Sequence, residues 1–432
     1  MQSTDAETAA LKRFIKRIES GVSVNAADTP AEPGQIGVLK TSCVYTGMFN
    51  PGENKTVVEE ELDRVACPVR ADTLIVSRMN TPDLVGAAGL ALCDMSNVYL
   101  PDRLWQVHFQ SNKVLPRYVY WWTRSELYRN QVKAACAGAS SSMQNLDQDS
   151  FRSFRIPQLP RDRQVSIANF LDEQTARIDA LIAGKEKLVE LLSELRSSRL
   201  AHEMAGGRHG DKETHYRWYP GIPSDWNVVP FKHVVHFVEG PGILANDFRV
   251  EGVPLLRVAG VRGATATLEG CNYLDPAKVD KTWSHFRVRQ GDLLISASAS
   301  MGTVSLVTDE TEGSVPYTGI IILRPREGVL RDFVRNFVVS EQFMRQVDGM
   351  KTGSTIQHFG PSHLNRVVMA LPSSLNEQEK IVQRLEDSRR TYDSMENHVR
   401  KHIDILREYR SSLISAAVTG QIDINNFQLE AA

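Results

Sequence analysis

The 432-residue sequence contains no run of about eighteen apolar residues, the length a membrane span requires. Its first twenty residues, MQSTDAETAALKRFIKRIES, hold no apolar core of the kind a secretion signal carries. The chain is therefore expected in the cytoplasm, with no membrane attachment. Its five cysteines are odd in number and scattered, without a CxxC pair, so they read as reduced thiols and not as a disulfide frame or a zinc site. Excess charge of either sign is missing too. Fifty basic and 52 acidic side chains leave a net charge of −2, so contact with nucleic acid would have to come from local patches.

The usual signatures of catalysis are also missing. There is no GxxxxGK[ST] loop, and GMKTGST (Gly349 to Thr355) lacks the lysine in place. No [ND]PP[YF] tetrapeptide, strand–GxG–helix unit, HExxH or GxSxG occurs. The acid run Glu59-Glu60-Glu61 with Asp63 has no second set of ligands to match it and reads as a solvated loop. The expectation is a non-catalytic chain, with no catalytic residue, no metal site and no cofactor of its own.

What the sequence does have is a repeat. ELRSSRLAHEMAGG (Glu194 to Gly207) returns as EYRSSLISAAVTGQ (Glu408 to Gln421), 214 residues later. The same offset pairs Gln164 with Gln378, Ile167 with Ile381, Leu171 with Leu385 and Arg196 with Arg410, without a gap. A rigid helix explains the fixed register, because one inserted residue would turn everything after it by about 100°. Both copies carry a 4-3 apolar stripe. The first runs through Ile167, Leu171, Ile178, Leu181, Leu188, Leu192 and Leu195. The second runs through Ile381, Leu385, Tyr392, Met395, Val399, Leu406, Tyr409 and Leu413. The pattern predicts two helices packed as a coiled coil. Asp162 and Asn376, just after matched Leu-Pro pairs, are the expected N-caps, and Gly206 and Gly420 the stop signals.

The segments before each helix repeat more loosely. VLKTSCVYTG (from Val38) echoes LLRVAGVRGA (from Leu255), and VRADTLIVSRMN (from Val69) echoes VRQGDLLISASAS (from Val288). SSSMQNL precedes the first Leu-Pro pair as GSTIQHF precedes the second. Alternating, and rich in Gly, Ser and Thr, these stretches predict mixed β domains. The expected fold class is α+β: two mixed α/β domains joined by two long antiparallel coiled-coil helices, with an internal pseudo-twofold repeat. The divisions are 1–158 (first domain), 159–207 (first helix), 208–370 (second domain) and 371–432 (second helix and tail). Two similar but non-identical domains held by antiparallel helices suit a reader of two inverted half-sites on a duplex.

At this point the residues resemble a known family. The domain–helix–domain–helix plan, the Leu-Pro…Gln…Ile…Leu helix start and the Arg-Ser-Ser…Thr-Gly helix end are similar to those of type I restriction enzyme specificity (S) subunits. So are WYPGIPSDW (Trp218 to Trp226) and the strand GDLLIS. The first half departs from the pattern, lacking a GIP..W opening, so the start of the first domain is expected to be shortened or remodelled. The resemblance implies two target-recognition domains, each reading half of a bipartite site in double-stranded DNA. The helices would set the spacer and dock two methyltransferase (M) subunits, with restriction (R) subunits joining through those. S-adenosylmethionine, ATP and Mg would belong to the partners. Two alternatives remain open on the residues alone, a coiled-coil protein-interaction scaffold and an orphan DNA-binding regulator.

For DNA contact, the candidates lie in the loops that follow repeated strands. Arg78 and Asn80 have side chains able to contact guanine and adenine through two hydrogen bonds. Lys40 and Tyr45 are matched by Arg257 and Arg262, and Gln144 by Gln357. Ser298, in a small polar loop, and Lys351 complete the set. The aromatic run YVYWWTRSELY (Tyr118 to Tyr128) has the spacing of a core helix and not of a stacking platform.

Overall fold

The computed structural model describes residues 7–136, 142–207, 210–297, 303–350 and 359–424. The chain divides into two compact units: unit one runs up to Glu186 and resumes at Arg400, and unit two is Lys187–Val399. Each is α+β. In unit one a central antiparallel sheet has the order Ile15–Ser20, Leu104–Phe109, Thr73–Ser77, Ala88–Ala91. In unit two the corresponding order is Val235–Glu239, Ile320–Pro325, Leu293–Ser296, Val304–Leu306. Beside each lies a smaller mixed sheet, in which Gly37–Leu39 pairs in parallel with Met95–Tyr99, and Val253–Leu256 with Val315–Pro316.

The strand sequences follow from burial on both faces. In TLIVS (Thr73–Ser77) every residue is buried. Leu74 and Val76 point into the core shared with the helices, while Ile75 points into the core beneath the second sheet. LLIS repeats the arrangement, with Leu293 and Ile295 on one side and Leu294 on the other. The aromatic run of unit one is a core element, as its spacing implies. It forms helices Pro116–Thr123 and Glu126–Ala135, with Tyr118, Trp121, Trp122 and Tyr128 buried.

The opening strand of the first unit is present, three residues long where that of unit two has five. Thr8–Ala10 pairs with Arg155–Pro157 as Trp226–Pro230 pairs with Val368–Pro372, and in each unit a short turn then leads into the central sheet. A strand is held by its backbone bonds, so no shared motif was needed to preserve it.

The long helices are Arg161–Met204 and Leu375–Thr419. Asp162 and Asn376 are not N-caps, since both lie inside the first turn. Gln164 N–H donates to the Pro160 carbonyl and Gln378 N–H to that of Ser374. The starts are held instead by the side chains of these two buried glutamines. Gln164 Oε1 accepts from Leu115 N–H at 2.7 Å, and its Nε2 donates to the Leu159 carbonyl at 2.8 Å. Gln378 does the same with Leu330 N–H at 2.9 Å and the Gly328 and Pro372 carbonyls. The helix ends repeat as well. Gly207 N–H reaches back to His202 and Gln421 N–H to Ala416, around Gly206 (φ 81°) and Gly420 (φ 76°). That is a Schellman cap, whose left-handed residue favours glycine.

Within each unit the two helix segments run antiparallel, and one ion pair occurs twice. Arg410 holds Asp179 through two bonds of 2.8 and 3.1 Å in unit one, and Arg196 holds Asp393 at 3.0 Å in unit two. The sequence-derived stripe is right on one flank and displaced by one residue on the other. Leu171, Ile178 and Leu192 are buried, but Leu181, Leu188 and Leu195 are exposed, and Ile182 packs inward in place of Leu181. The second helix shows the same shift. Leu385 and Leu413 are buried, Met395 and Tyr409 are exposed, and Ile403 is buried although the stripe bypasses it. Two adjacent apolar lines satisfy one 4-3 count, and periodicity cannot tell which of them faces the partner helix.

The far end of each helix completes a core. Leu413, Ile414, Ala417 and Val418 close the core of unit one against Ile167 and Leu171, and Tyr118 Oη donates to the Val418 carbonyl at 3.1 Å. In unit two, Met204 packs with Trp226, Phe343, Ile381 and Leu385. The two ends are not interchangeable. Residues matching Leu413 and Ala417 are Arg199 and Glu203, and buried Glu203 is held by Arg199 at 2.7 Å and Arg384 at 2.9 Å. All five cysteines are free. No helix among the described residues is long and apolar enough to cross a membrane.

Leu413→Ala should therefore loosen unit one by about 2–5 kcal/mol, the cost of a buried leucine truncation. Denaturant unfolding should begin earlier, and hydrogen-exchange protection should fall in Pro116–Thr123 while the Arg331–Val338 helix of unit two keeps its own.

Candidate nucleic-acid interface

In unit one, the strand Gly37–Leu39 ends at Lys40, which caps the 3-10 turn Thr41–Val44, and Tyr45 follows. The loop then bends through Gly47 (φ 77°), where a Cβ would lie 1.2 Å from Arg124 Nη1. Only glycine allows this approach to the Arg124 guanidinium, whose pKa is lowered by burial. Lys40 Nζ is 3.9 Å from Glu53 Oε2 and the side chain remains partly open to solvent.

The loop after the central strand meets this turn. Met79–Asn80 forms a two-residue ladder with Gln144–Asn145, setting Gln144 opposite Asn80, and Leu146 N–H donates to the Arg78 carbonyl. Asn80 Nδ2 donates to Tyr45 Oη at 2.8 Å and to Ser77 Oγ at 3.3 Å, and its Oδ1 accepts from Thr81 N–H at 2.9 Å. Tyr45 Oη is also 2.7 Å from Thr41 Oγ1. Arg78 uses Nε on the Asp102 carbonyl at 2.7 Å and Nη1 on Asn145 Oδ1 at 3.4 Å. Hydrogen bonds thus draw residues 41–45, 77–81 and 144–146, distant in sequence, to one edge. Tyr45, Asn80 and Gln144 meet there. Asn80 is 8% exposed and its amide is engaged on both sides, which turns it inward as a brace and away from solvent.

Unit two repeats the backbone with other side chains. Val253–Leu256 ends at Arg257, which caps the 3-10 turn Val258–Gly260. This turn is one residue shorter than Thr41–Val44 and closes on Val261 where unit one closes on Tyr45, so Arg262 matches Tyr45 by its sequence distance from the cap. Arg257 lies 4.1 Å over the Tyr317 ring, within cation–π range. Arg262 is exposed and has no partner among the described residues. Ser298, Lys351 and Gln357 lie outside the described residues. Their flanks do converge, because Phe359 N–H donates to the Ala297 carbonyl at 3.1 Å as Leu146 does to Arg78. The acid run of unit one is solvated at Glu59, Glu60 and Asp63 but is a helix and not a loop. It forms the 3-10 helix Glu59–Arg64, where buried Glu61 accepts from Asn25 Nδ2 at 3.0 Å and pairs with Arg64.

Sequence reasoning missed Thr41 and Ser77, which complete the hydrogen-bond set around Tyr45. It also missed Gln131 and Gln346, which tie helix Glu126–Ala135 to strand Arg155–Pro157 and helix Glu341–Asp348 to strand Val368–Pro372. Gln131 brackets Arg155 through N–H and carbonyl, and Gln346 brackets Val368 in the same way. The signal was present in SELYRNQ and SEQFMRQ. It sits one residue out of register with the helix repeat and so escaped a fixed-offset comparison.

Residues 223–403 match the family model described as the type I restriction modification DNA specificity domain. The chain is 22% identical over 323 residues to the MjaVIII type I restriction enzyme specificity subunit of Methanocaldococcus jannaschii, covering 73% of each. It is 24% identical to the EcoKI specificity subunit of Escherichia coli K12, over 69% of this chain and 64% of that one. Among solved structures, a chain from work on complex assembly and conformational transition of the type I R-M system aligns with a TM-score of 0.73. The identity is 15%, and the alignment covers 98% of this chain and 100% of the other. The HsdS subunit of Thermoanaerobacter tengcongensis aligns at 0.57, also 15% identical, over 97% and 98%. By a family model over residues 223–403 and by relatives aligned over about 70% of the chain, the protein is similar to type I restriction enzyme specificity subunits, and its fold is that of the solved HsdS chain.

Proposed function

We propose that this chain is the part of a type I restriction-modification complex that chooses the DNA sequence, each unit reading one half of a bipartite duplex site. One observation carries the reading. The same strand–turn–loop edge occurs once per unit with different side chains at matched positions, Lys40 and Tyr45 in one and Arg257 and Arg262 in the other. Identical framing with different side chains is what two unlike half-sites require, because phosphate contacts position a protein while base-edge contacts specify. Arg78 Nη2 and the whole Arg262 guanidinium remain available for guanine O6 and N7. In this reading Lys40, Tyr45, Arg78, Gln144, Arg257, Arg262, Ser298, Lys351 and Gln357 face DNA, and Asn80 supports them.

The helices serve as spacer and as dock for two methyltransferase subunits. The displaced apolar line supports this. Unit one exposes Leu181, Ile405 and Tyr409, and unit two exposes the repeat-equivalent Met395, Leu191 and Leu195. A trio present once per unit suits two copies of one partner. Restriction subunits would join through the methyltransferases, and S-adenosylmethionine, ATP and Mg would be bound by those partners. The chain itself contributes recognition without catalysis and acts in the cytoplasm.

Selection from a pool of randomised duplexes by the assembled complex tests the reading. Arg262→Ala should relax one half-site and Arg78→Ala the other, each by about 1–3 kcal/mol of discrimination. Loss in both halves from one substitution would contradict the division of labour. For docking, Leu191→Glu and Ile405→Glu should each remove one methyltransferase copy from the complex by native mass measurement, the chain remaining folded. Retention of both copies in both variants would contradict the assignment of that surface.

A further inference from the structure

Tyr45 and Thr41 hold a hydroxyl proton with no acceptor among the described residues. Their oxygens are 2.7 Å apart, and Tyr45 Oη also accepts from Asn80 Nδ2 at 2.8 Å. The Asn80 amide cannot turn round, because Thr81 N–H occupies its oxygen at 2.9 Å and Ser77 Oγ receives its second N–H at 3.3 Å. The tyrosine therefore meets a donor on its inner side and cannot give its own proton there. The two hydroxyls own two protons, and the bond between them uses one, whichever of the pair donates. The other has no acceptor among the described residues. It must point outward, from whichever hydroxyl of the pair keeps it, beside a tyrosine that is 36% exposed.

We propose that the Thr41–Tyr45 pair is a hydrogen-bond donor to an acceptor atom of the bound duplex, with Asn80 as the positioning residue that sets its direction. This rests on the reading of the chain as a DNA-recognition subunit. The acceptor is guanine O6 or N7, adenine N7, thymine O4 or a phosphate oxygen; the amino groups of cytosine and adenine cannot take the proton. Unit two supports the assignment, since Arg262 lies five residues after Arg257 as Tyr45 does after Lys40, and an arginine offers donors alone. Each unit thus carries a donor just after the turn that ends this strand, a hydroxyl in one and a guanidinium in the other.

The test uses the full chain assembled with its methyltransferase subunits and a pool of randomised duplexes as probe. If the wild-type complex selects no motif, the DNA-recognition reading itself fails, which is a separate outcome. Given a motif, Tyr45→Phe keeps the ring and removes the hydroxyl. A loss of roughly tenfold at one base pair of one half-site identifies a base acceptor, and a roughly tenfold loss uniform across sequences identifies a phosphate. Asn80→Asp keeps the acceptor for Thr81 N–H but draws the tyrosine proton inward, so it should reproduce the Tyr45→Phe loss. The double variant should then be no worse than the weaker single variant, because both remove one contact. Two results would overturn the proposal: Tyr45→Phe and Thr41→Val both leaving motif and affinity unchanged, or the Tyr45 and Asn80 losses multiplying in the double variant. Tyr45→Phe and Thr41→Val together decide the donor assignment even where Asn80→Asp does not fold.

Discussion

Unit one does not close its core from a contiguous stretch of chain, whereas unit two, Lys187–Val399, does. Unit one is sealed by Leu413, Ile414, Ala417 and Val418, which arrive more than two hundred residues after the helix start they pack against. This burial is the interaction on which the rest depends, since each fully buried aliphatic side chain contributes roughly 1.5–3 kcal/mol. The exposed ion pairs along the helices contribute far less, about 0–1 kcal/mol each. Their value lies in register. Asp179–Arg410 and Asp393–Arg196 are one pair written twice, and they align each helix pair as apolar contacts alone would not.

From that closure a rigid edge follows. Gln164 and Gln378 fasten each long helix to the residue that caps a shorter one, Pro116–Thr123 or Arg331–Val338, and Gln131 and Gln346 fasten the next helix to the edge strand. Buried amides with both ends bonded fix orientation, because leaving either end unpaired would cost about 1–3 kcal/mol. With backbone and brace held constant, Lys40, Tyr45, Arg257 and Arg262 can differ without disturbing the fold. A sequence reader needs that separation of frame from contact.

Much of this was legible in the sequence because helices preserve register. The gapless match of Gln164 to Gln378 and Arg196 to Arg410 placed both long helices, and Gly206 and Gly420 marked their ends. The inward flank of the stripe was not legible. Leu181 and Ile182 are adjacent and both apolar, and only the partner helix determines which is covered. The first strand, Thr8–Ala10, was hidden because its place depends on backbone pairing and not on a side-chain motif. At the candidate interface the sequence offered Tyr45 and Asn80 alike as DNA contacts and could not show that Asn80 turns inward. Where that amide points is decided by a long-range contact.

A map of methylated bases in cells that carry this chain with its methyltransferase, compared with cells lacking only this chain, tests the central claim most directly. The account predicts methylation at one interrupted, asymmetric motif of two half-sites, present only when the chain is present. Methylation at an uninterrupted motif, or a pattern unchanged by removing the chain, would contradict it.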